Sequence, residues 1–451
     1  MRTTSVKFSF LRTNSLRMDS SYHINETITY RKHLTACPHS VTTIGAESEK
    51  IFLGNIFSRV YVADKEHGVP YLSASEMQKS DLNTEKYLSK KQADHLRYLM
   101  LDSGWILISC SGTLGKCVYT DKRYAEMIGT HDLIRLVPKK SNIEPGVLYA
   151  FLAGKFGYAM LTHSQYGSVV QHTNPAQVSN IPIPVFPEEL QKKVHALITE
   201  SAKLREEADA ARAKALKFFD NFAIQDQEKI FSKQLSRLHF SWAAYNNNLN
   251  VDAIKEKYSD QKVSLDKLTD RIFAPPLFKH IYLSSDNGYP FLTGKEVTYQ
   301  NQRYYRWLSP RGVRDINDYI VKKGTLLIYK SGTTDGGILG YVTIVDDNLD
   351  GACLSDHVIR LNFKSFSDAC WAYSFLKSKS GETLLQALAT GTMIPFITPE
   401  RLKNLEIPEP DIHKDEISVL IEEYLTKKSS GNNKENEAIR LIEEEIEKWQ
   451  K

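Results

Sequence analysis

The chain has 451 residues, of which 41% are hydrophobic, and a formal net charge of +4. This length allows two or three folded domains. There is no apolar run of 18 or more residues, so no membrane span is predicted. The basic N-terminus lacks the apolar core of a signal peptide, which argues against export. Five cysteines without a C-x-x-C pair argue against a disulfide framework or zinc site and favour a reducing cytoplasm.

Charge is distributed unevenly along the chain. Residues 187–226 and 409–451 together have a net charge of −6, which leaves +10 on residues 1–186 and 227–408. Basic globular parts joined by acidic helices are typical of a protein that binds a polyanion. Charges of +6 and +4 on domains of this size are also ordinary, so charge alone leaves both interpretations open.

The first part of the chain has a mixed α and β pattern. Residues Trp105–Ser109 and Lys116–Tyr119 are rich in β-formers and flank a turn that contains glycine, Ser111–Gly115. Residues Leu148–Leu161 have the pattern of a helix that ends before Gly167. We therefore expect a sheet with at least one helix beside it.

A long helix is predicted from Pro187 to Phe222, about 36 residues without internal Gly or Pro and roughly 50 Å in length. Small and apolar residues recur as the a and d positions of a coiled coil. They are Val194, Ser201, Ala208, Ala215 and Phe222, interleaved with Leu197, Leu204, Ala211 and Phe218. This pattern favours a spacer, with an ordinary amphipathic helix on a globular core as the alternative.

The second part of the chain repeats the order of the first. Residues Leu326–Tyr329 and Leu339–Val345 are predicted strands around the turn Ser331–Gly337, and Ala369–Ala389 is a predicted helix. The C-terminal residues predict a second long helix with a seam that contains Ile417, Leu420 and Tyr424 and resumes at Ile439, Ile442, Ile446 and Trp449. The segment SSGNN at 429–433 is expected to interrupt this helix, as a hairpin loop or a local bulge.

An internal repeat relates the two parts. Shifting the chain by 220 to 225 residues places Ser111-Gly112-Thr113 on Ser331-Gly332-Thr333 and Leu133–Leu136 on Val358–Leu361. The order predicts two duplicated α+β domains, each followed by a charged helix. The predicted boundaries are 1–186 for the first domain, 187–226 for the first helix, 227–408 for the second domain and 409–451 for the second helix.

Several motifs suggest catalysis but lack its full pattern. Ser111–Lys116 (SGTLGK) does not have the spacing of a Walker loop, and Ser331–Gly337 does not have that of a dinucleotide loop. His131-Asp132 aligns with Asp356-His357 in reversed order, which argues against a catalytic dyad. Asp260-Gln261-Lys262 lacks a nearby Pro-Asp, and Asn174-Pro175-Ala176 departs from the motif with which adenine methyltransferases hold a flipped base. We predict no catalytic set, metal site or cofactor.

Polar, basic and aromatic loops occur at equivalent places in both parts, and their residue types suit base edges and phosphates. The residues that flank these loops match between the two parts, whereas the loop residues differ. Two domains that recognise different short DNA sequences would require this. For any single residue, an ordinary solvated loop is the alternative. The predicted DNA-binding residues are Lys90, Lys91, Ser111, Thr113, Lys116, Gln165, Ser168, Gln171, His172, Arg303, Tyr304, Tyr305, Arg306, Lys330, Ser331, Thr333, Thr334 and Thr392.

The whole arrangement resembles the specificity (S) subunit of type I restriction-modification systems. The resemblance is carried by Gly104–Gly115 and its counterpart Lys323–Thr333, by Pro70-Tyr71-Leu72 and Pro290-Phe291-Leu292, and by Ile183-Pro184 and Ile407-Pro408 before each helix. It implies a non-catalytic subunit with two target-recognition domains and two antiparallel spacer helices that form a coiled coil.

The resemblance also implies partners. These are double-stranded DNA with a bipartite site and two modification subunits that methylate adenine with S-adenosylmethionine, and a restriction subunit with an ATP-driven motor is left open. The alternatives are a stand-alone methyltransferase or nuclease, the specificity subunit of another phage-defence methylation system, and a duplicated scaffold that binds protein.

Overall fold

The computed structural model describes residues 5, 27–35, 37–82, 86–111, 114–139, 141–163, 172–219, 232–238, 242–304, 306–332, 337–391 and 393–449. The chain divides into two compact units: unit 1 is Met1–Glu206 with Ser430–Lys451, and unit 2 is Glu207–Ser429. Within the described ranges, no helix is both long and apolar enough to cross a membrane.

The elements up to the end of the first long helix come in the following order. They are α1 Thr27–Thr35, β1 Val41–Thr43, β2 Ser48–Phe52, β3 Tyr61–Val62, β4 Gly68–Leu72, β5 Tyr87–Ser89, α2 Lys90–His95, a 3₁₀ turn Arg97–Leu99, β6 Ile106–Ser109, β7 Cys117–Tyr119, β8 Ile128–Gly129, β9 Leu133–Pro138, α3 Pro145–Ala153, α4 Lys155–His163, α5 Pro175–Ser179, β10 Pro182–Pro184 and α6 Glu188–Lys217.

The remaining elements repeat that order. They are 3₁₀ turns Leu235–Arg237 and Ala244–Asn247, α7 Leu249–Lys257, β11 Lys262–Ser264, α8 Leu265–Leu268, β12 Thr269–Phe273, β13 Tyr282–Leu283, 3₁₀ turn Ser285–Asn287, β14 Tyr289–Leu292, α9 Gly294–Val297, β15 Trp307–Leu308, 3₁₀ turns Pro310–Gly312 and Ile316–Asp318, β16 Leu326–Tyr329, β17 Val342–Ile344, β18 Cys353–Leu354, β19 Val358–Phe363, α10 Phe366–Lys377, α11 Lys379–Ala387, α12 Pro399–Lys403, β20 Glu406–Pro408 and α13 Lys414–Lys448.

Both units contain the same sheets. The first sheet has the order β2-β9-β6-β7 in unit 1 and β12-β19-β16-β17 in unit 2, with every pair antiparallel. The second sheet has the order β3-β5-β4-β8 or β13-β15-β14-β18, and its last pair is parallel in both units. A short pair, β1-β10 or β11-β20, completes each set. The predicted duplication of a mixed α and β domain is confirmed.

The central strands form the cores because both of their faces are covered. All four residues of β6 are buried, as are all four of β16. Ile106 and Ile108 pack with Leu148 and other residues of α3, whereas Leu107 lies in a separate cluster with Leu72. This alternation follows from the two-residue period of a strand and places one cluster on each face.

Each predicted single helix after the first sheet is in fact two short helices, α3 and α4 in unit 1 and α10 and α11 in unit 2. The break is a close backbone packing that only glycine allows. A Cβ atom on Gly157 would lie 2.3 Å from the carbonyl oxygen of Phe151, and one on Gly381 would lie 2.2 Å from that of Phe375. This contact accounts for the recurrence of glycine at both positions.

The helices α6 and α13 run antiparallel in unit 1. Lys193 pairs with Glu437 at 3.5 Å, and the Ser201 hydroxyl donates to the carbonyl oxygen of Gly431 at 2.7 Å. In unit 2 the same two helices continue the pattern, since Lys427 pairs with Glu207 at 2.9 Å. Rising numbers in α6 therefore meet falling numbers in α13, and the predicted antiparallel helix pair is confirmed.

The buried seam of α6 differs in part from the predicted one. Val194, Ser201, Ala208, Ala211 and Ala215 are buried as expected, but Ile198, Arg205, Arg212 and Phe219 are more buried than Leu197, Leu204 and Phe218. Phe222 lies outside the described residues. The four more buried residues follow the positions of the Val194 series by four residues rather than by the predicted three. Two of them are arginines, which a search for apolar residues passes over.

Arg205 is such a residue. Its guanidinium group donates to Asn432 Oδ1 at 2.9 Å and forms an ion pair with Glu435. Glu435 also accepts a hydrogen bond from the Tyr149 hydroxyl at 2.6 Å. The side chains of Arg205 and Glu435 are almost fully buried, so each depends on the other for its charge to be tolerated.

The predicted interruption at 429–433 is wrong, because α13 is continuous from Lys414 to Lys448. The small and polar residues there are packing residues. A Cβ atom on Gly431 would lie 3.2 Å from the carbonyl oxygen of Ser201, so the glycine permits the close approach of α6. Asn432 is fully buried and accepts from Arg205. Tertiary contacts thus outweigh the poor helix propensity of the segment.

A buried arginine ties the two sheets of unit 1 together. Arg135 of β9 is fully buried. Its guanidinium group donates to the carbonyl oxygens of Gly129 at 2.7 Å, Leu133 at 2.8 Å, Thr130 at 3.2 Å and Leu99 at 3.3 Å. Gly129 belongs to β8 of the second sheet, so one side chain fixes the turn between the sheets.

Arg360 of β19 does the same in unit 2. It donates to Leu354 of β18 at 2.8 Å, to Ser355 at 3.2 Å and to Val358. Burial lowers the pKa of Arg135 and of Arg360 to about 10, so both remain charged at neutral pH. Carbonyl oxygens accept from both guanidinium groups, and in unit 2 the charge of Asp356 also favours the charged form of Arg360.

We predict that Gly431→Leu lowers the free energy of unfolding by about 1–3 kcal/mol, because the added atoms overpack the contact with Ser201. Helix propensity alone would change stability in the opposite direction by roughly 0.8 kcal/mol. Thermal unfolding followed by circular dichroism measures the difference. The matched control is Asn433→Leu at an exposed position two residues away, and an equal effect of both substitutions would contradict the packing argument.

We also predict that Arg360→Lys lowers the free energy of unfolding by about 2–3 kcal/mol, because lysine cannot present the planar fork of donors that several carbonyl oxygens require. Arg271→Lys is the control: Arg271 lies on the neighbouring strand β12, is half exposed and pairs with Asp318 at 3.0 Å. Its expected change is below about 0.5 kcal/mol. If chemical denaturation gives equal changes in the free energy of unfolding for both variants, the buried guanidinium group of Arg360 has no special role.

Candidate nucleic-acid interface

Two predicted loops meet in each unit. In unit 1, Ser111 after β6 forms an isolated antiparallel bridge with His172, and the amide of Thr173 donates to Cys110 at 3.2 Å. In unit 2, Ser331 after β16 forms the corresponding bridge with Phe396. The structure therefore joins the turn between the central strands to the segment that follows the helix pair.

The predicted residues of unit 1 lie in two places. Lys90 and Lys91 begin α2, are exposed, and follow Ser89, whose side chain caps that helix. Lys116 is half-buried, and its ammonium group lies 5.2 Å from the centre of the Tyr158 ring. The first pair is exposed to solvent, whereas Lys116 lies against the helix α4.

The predicted residues of unit 2 are more strongly engaged with the protein. Arg306 forms an ion pair with Glu296, and Lys330 lies 3.4 Å from Asp356. Arg303 is half-buried. These contacts fix the orientation of the cations, and an approaching phosphate would compete with a carboxylate for two of them.

The side chains of Tyr304 and Ser331 also contact other residues of unit 2. The Tyr304 hydroxyl donates to the carbonyl oxygen of Asn348, and burial raises its pKa. The Ser331 hydroxyl lies 3.3 Å from Nδ1 of His357. The remaining predicted residues, Thr113, Gln165, Ser168, Gln171, Tyr305, Thr333, Thr334 and Thr392, lie outside the described residues.

The His-Asp pairs support the loops through their backbones. The carbonyl oxygen of Asp132 accepts from the amide of Cys110 at 3.4 Å, and that of His357 accepts from the amide of Lys330 at 3.0 Å. The two pairs therefore hold equivalent loops despite their reversed order. Among the residues that the structure describes, no group of three His, Cys, Asp or Glu side chains is arranged to hold a metal ion.

A short hairpin in unit 2 presents apolar side chains that were not among the predicted contacts. The backbones of Thr390 and Phe396 exchange two hydrogen bonds of 2.8 Å, and Gly391 has a φ of +97°, which favours glycine. At the tip, Met393 is 92% and Ile394 is 69% exposed. We call residues 390–391 and 393–396 the apolar hairpin.

Sequence reasoning also missed a group of aromatic and basic residues on the second sheet, which we call the aromatic strip. In unit 1 it consists of Phe57, Arg59 and Tyr61 around the buried Tyr71. The ring centres of Phe57 and Tyr61 lie 6.5 and 5.9 Å from that of Tyr71. Arg59 Nε donates to the Tyr71 hydroxyl at 2.7 Å, and this bond raises the pKa of Arg59.

Unit 2 has an equivalent aromatic strip, formed by Phe278, His280 and Tyr282 around the buried Phe291. Their ring centres lie 6.1, 5.0 and 6.1 Å from that of Phe291. The Arg306 guanidinium lies 5.9 Å from the same ring. The detectable signal was Phe-x-Arg-x-Tyr in one half and Phe-x-His-x-Tyr in the other, at a shift of 221 residues that falls within the repeat.

Comparisons with known proteins place the chain in a family. The family model of the type I restriction modification DNA specificity domain matches residues 50–203 and 274–441, together well over half of the chain. No curated protein matches the sequence.

Solved structures of the same kind are similar to this chain. The type I restriction-modification S subunit from M. genitalium has 11% identity and a TM-score of 0.33, over 90% of this chain and 96% of that one. The HsdS subunit from Thermoanaerobacter tengcongensis has 16% identity and a TM-score of 0.28, over 92% and 95%. The type IIG restriction endonuclease BpuSI matches 39% of this chain and 28% of its own, at 10% identity and a TM-score of 0.30. With the family model matched once in each half, the chain belongs to the type I restriction-modification specificity subunits, with two DNA specificity domains.

Proposed function

We propose that this chain is the subunit that selects the DNA sequence for a partner adenine-N6 methyltransferase, with each specificity domain reading one half of a bipartite site. The observation that carries the proposal is one frame built twice, with dissimilar polar loops on equivalent edges. Because the two domains have the same fold, both would bind DNA in the same orientation. Different loops give each domain its own sequence preference.

The partners follow from the family. We propose a cytoplasmic complex with two methyltransferase subunits, which supply S-adenosylmethionine and the catalytic residues, and with a restriction subunit in systems that also cleave. The chain itself would be non-catalytic. Residues 1–186 and 227–408 are proposed as exchangeable reading domains, and the predicted polar residues in them are proposed as DNA contacts.

We predict that co-expression of the chain with its methyltransferase places N6-methyladenine in one asymmetric motif with two specified parts and an unspecified gap. Genome-wide methylation mapping of the host gives the motif directly. Expression of the chain alone should give no methylation, and the methyltransferase alone should give no motif. A continuous motif, or activity of the isolated chain, would reject the bipartite reader and favour a stand-alone enzyme.

We further predict that substitutions in the apolar hairpin change the base preference in the second half-site only. The apolar atoms of Met393 and Ile394 suit contact with the methyl group of thymine. Met393→Gln keeps the side-chain length and Ile394→Thr keeps the β-branch, and because both positions are exposed the melting temperature is expected to stay unchanged. Each should reduce by about fourfold the binding advantage of thymine over deoxyuridine at one position, as roughly 0.8 kcal/mol per methyl implies.

Competition binding to duplexes with single thymine-to-deoxyuridine changes measures this effect. The control is Val419→Thr on α13, which makes a similar change at a position that is 65% exposed but lies on the helix. If the variants and the unsubstituted protein respond alike to every deoxyuridine, the hairpin does not read thymine.

A further inference from the structure

The two aromatic strips agree with each other while the polar loops do not. Phe57 and Phe278 hold the same place, as do Tyr61 and Tyr282, and each strip surrounds a buried ring, in β4 of unit 1 and in β14 of unit 2. Domains that read different sequences must differ where they touch bases. Surface residues that both domains share can contact the parts of DNA that are the same in every sequence, which are the phosphates and sugars.

We propose that the aromatic strips bind the sugar-phosphate backbone of the target duplex and hold each domain on DNA independently of sequence. This inference rests on the proposed function and adds to it a division of work within each domain. The strip sets the position of the domain. The loops then read bases from that position.

The chemistry of the strip in unit 1 suits a phosphate beside a sugar. Arg59 is exposed, its Nε donates to the Tyr71 hydroxyl and its Nη2 donates to the Thr130 hydroxyl, so the guanidinium keeps one orientation. Its Nη1 has no hydrogen bond among the described contacts and can donate to an anion. Tyr61 is 48% exposed at the edge of the sheet and offers an apolar ring face with a polar end. A fixed cation next to an exposed ring matches the alternation of phosphate and sugar.

The strip of unit 2 uses different basic groups in the same setting. His280 takes the place of Arg59 and is exposed, and Tyr282 is 46% exposed. Arg306, which forms an ion pair with Glu296, directly precedes β15, and its guanidinium lies 5.9 Å from the centre of the buried Phe291 ring. Both strips therefore combine exposed rings with basic groups, although the basic side chains come from different positions.

The strip of unit 1 continues into the candidate interface. The Phe57 ring lies 6.2 Å from that of His131, and Arg59 Nη2 lies 3.5 Å from the hydroxyl of Thr130. This turn is the one whose backbone holds Cys110, next to Ser111. A contact between the strip and the DNA backbone would therefore fix the distance between the Ser111 loop and the bases.

A phosphate contact predicts a specific change in salt dependence. Arg59→Gln should weaken binding of the complete methyltransferase complex to its mapped motif and to random duplex by the same factor, and lower the slope of log affinity against log salt by about 0.9. Arg59→Lys keeps the charge and should restore the slope. Tyr61→Leu should weaken both duplexes without changing the slope. The half-site sequence should stay the same in all three variants.

The control is Arg440→Gln on α13, which removes an exposed arginine that pairs with Glu444 and should leave both slope and affinity unchanged. Sedimentation measures assembly of each complex. An unchanged slope for Arg59→Gln, an altered motif, or loss of the methyltransferase from the complex would overturn the inference, the last because the strip would then bind protein. Failure of the proposed function has a different signature, since the unsubstituted complex itself would show no preference for a bipartite motif.

Discussion

The frame of each specificity domain depends on a charged side chain buried without a carboxylate at hydrogen-bonding distance among its described contacts. Arg135 and Arg360 direct their donors at carbonyl oxygens of the turn that links the two sheets. Taking such a charge out of water is costly, and the cost is offset only while every carbonyl keeps its place. These contacts hold the turn in place, and the segment that follows it accepts backbone hydrogen bonds from Cys110 in unit 1 and from Lys330 in unit 2, at the candidate interface.

The long helices use the same principle in a different setting. In unit 1, Arg205 is buried against Asn432 and Glu435 of α13, next to the close contact at Gly431. In unit 2, Lys428 is buried against Asp346 at 2.7 Å. Burial alone would lower the pKa of Lys428, and the charge of Asp346 reverses this, so the pKa is raised. Arg205 therefore fixes the register of α6 against α13, and Lys428 fixes α13 against the segment that follows β17.

The sequence was sufficient for the duplication, for the strands β6, β7, β16 and β17 and for the presence of two long helices, because these depend on periodicity and on repeated order. It was insufficient where one residue acts through a distant partner. Arg205 and Gly431 looked unsuitable for a helix seam, since a heptad search counts apolar residues and the partner lies far along the chain. The aromatic strip was overlooked because its exposed residues alternate along a short extended segment, and their grouping around Tyr71 depends on the fold.

Duplication gives this protein an internal control that a single domain lacks. Differences between the halves at equivalent places, such as Ser111 paired with His172 and Ser331 paired with Phe396, mark where the two domains are free to diverge. Similarities that neither the core nor the helix contacts require mark a common task. Tyr61 and Tyr282 are of this second kind, because each is about half exposed and leaves much of its surface free for a ligand. Folding alone does not account for an exposed ring at the same place in both domains. Contact with a polyanion that is the same at both half-sites would account for it.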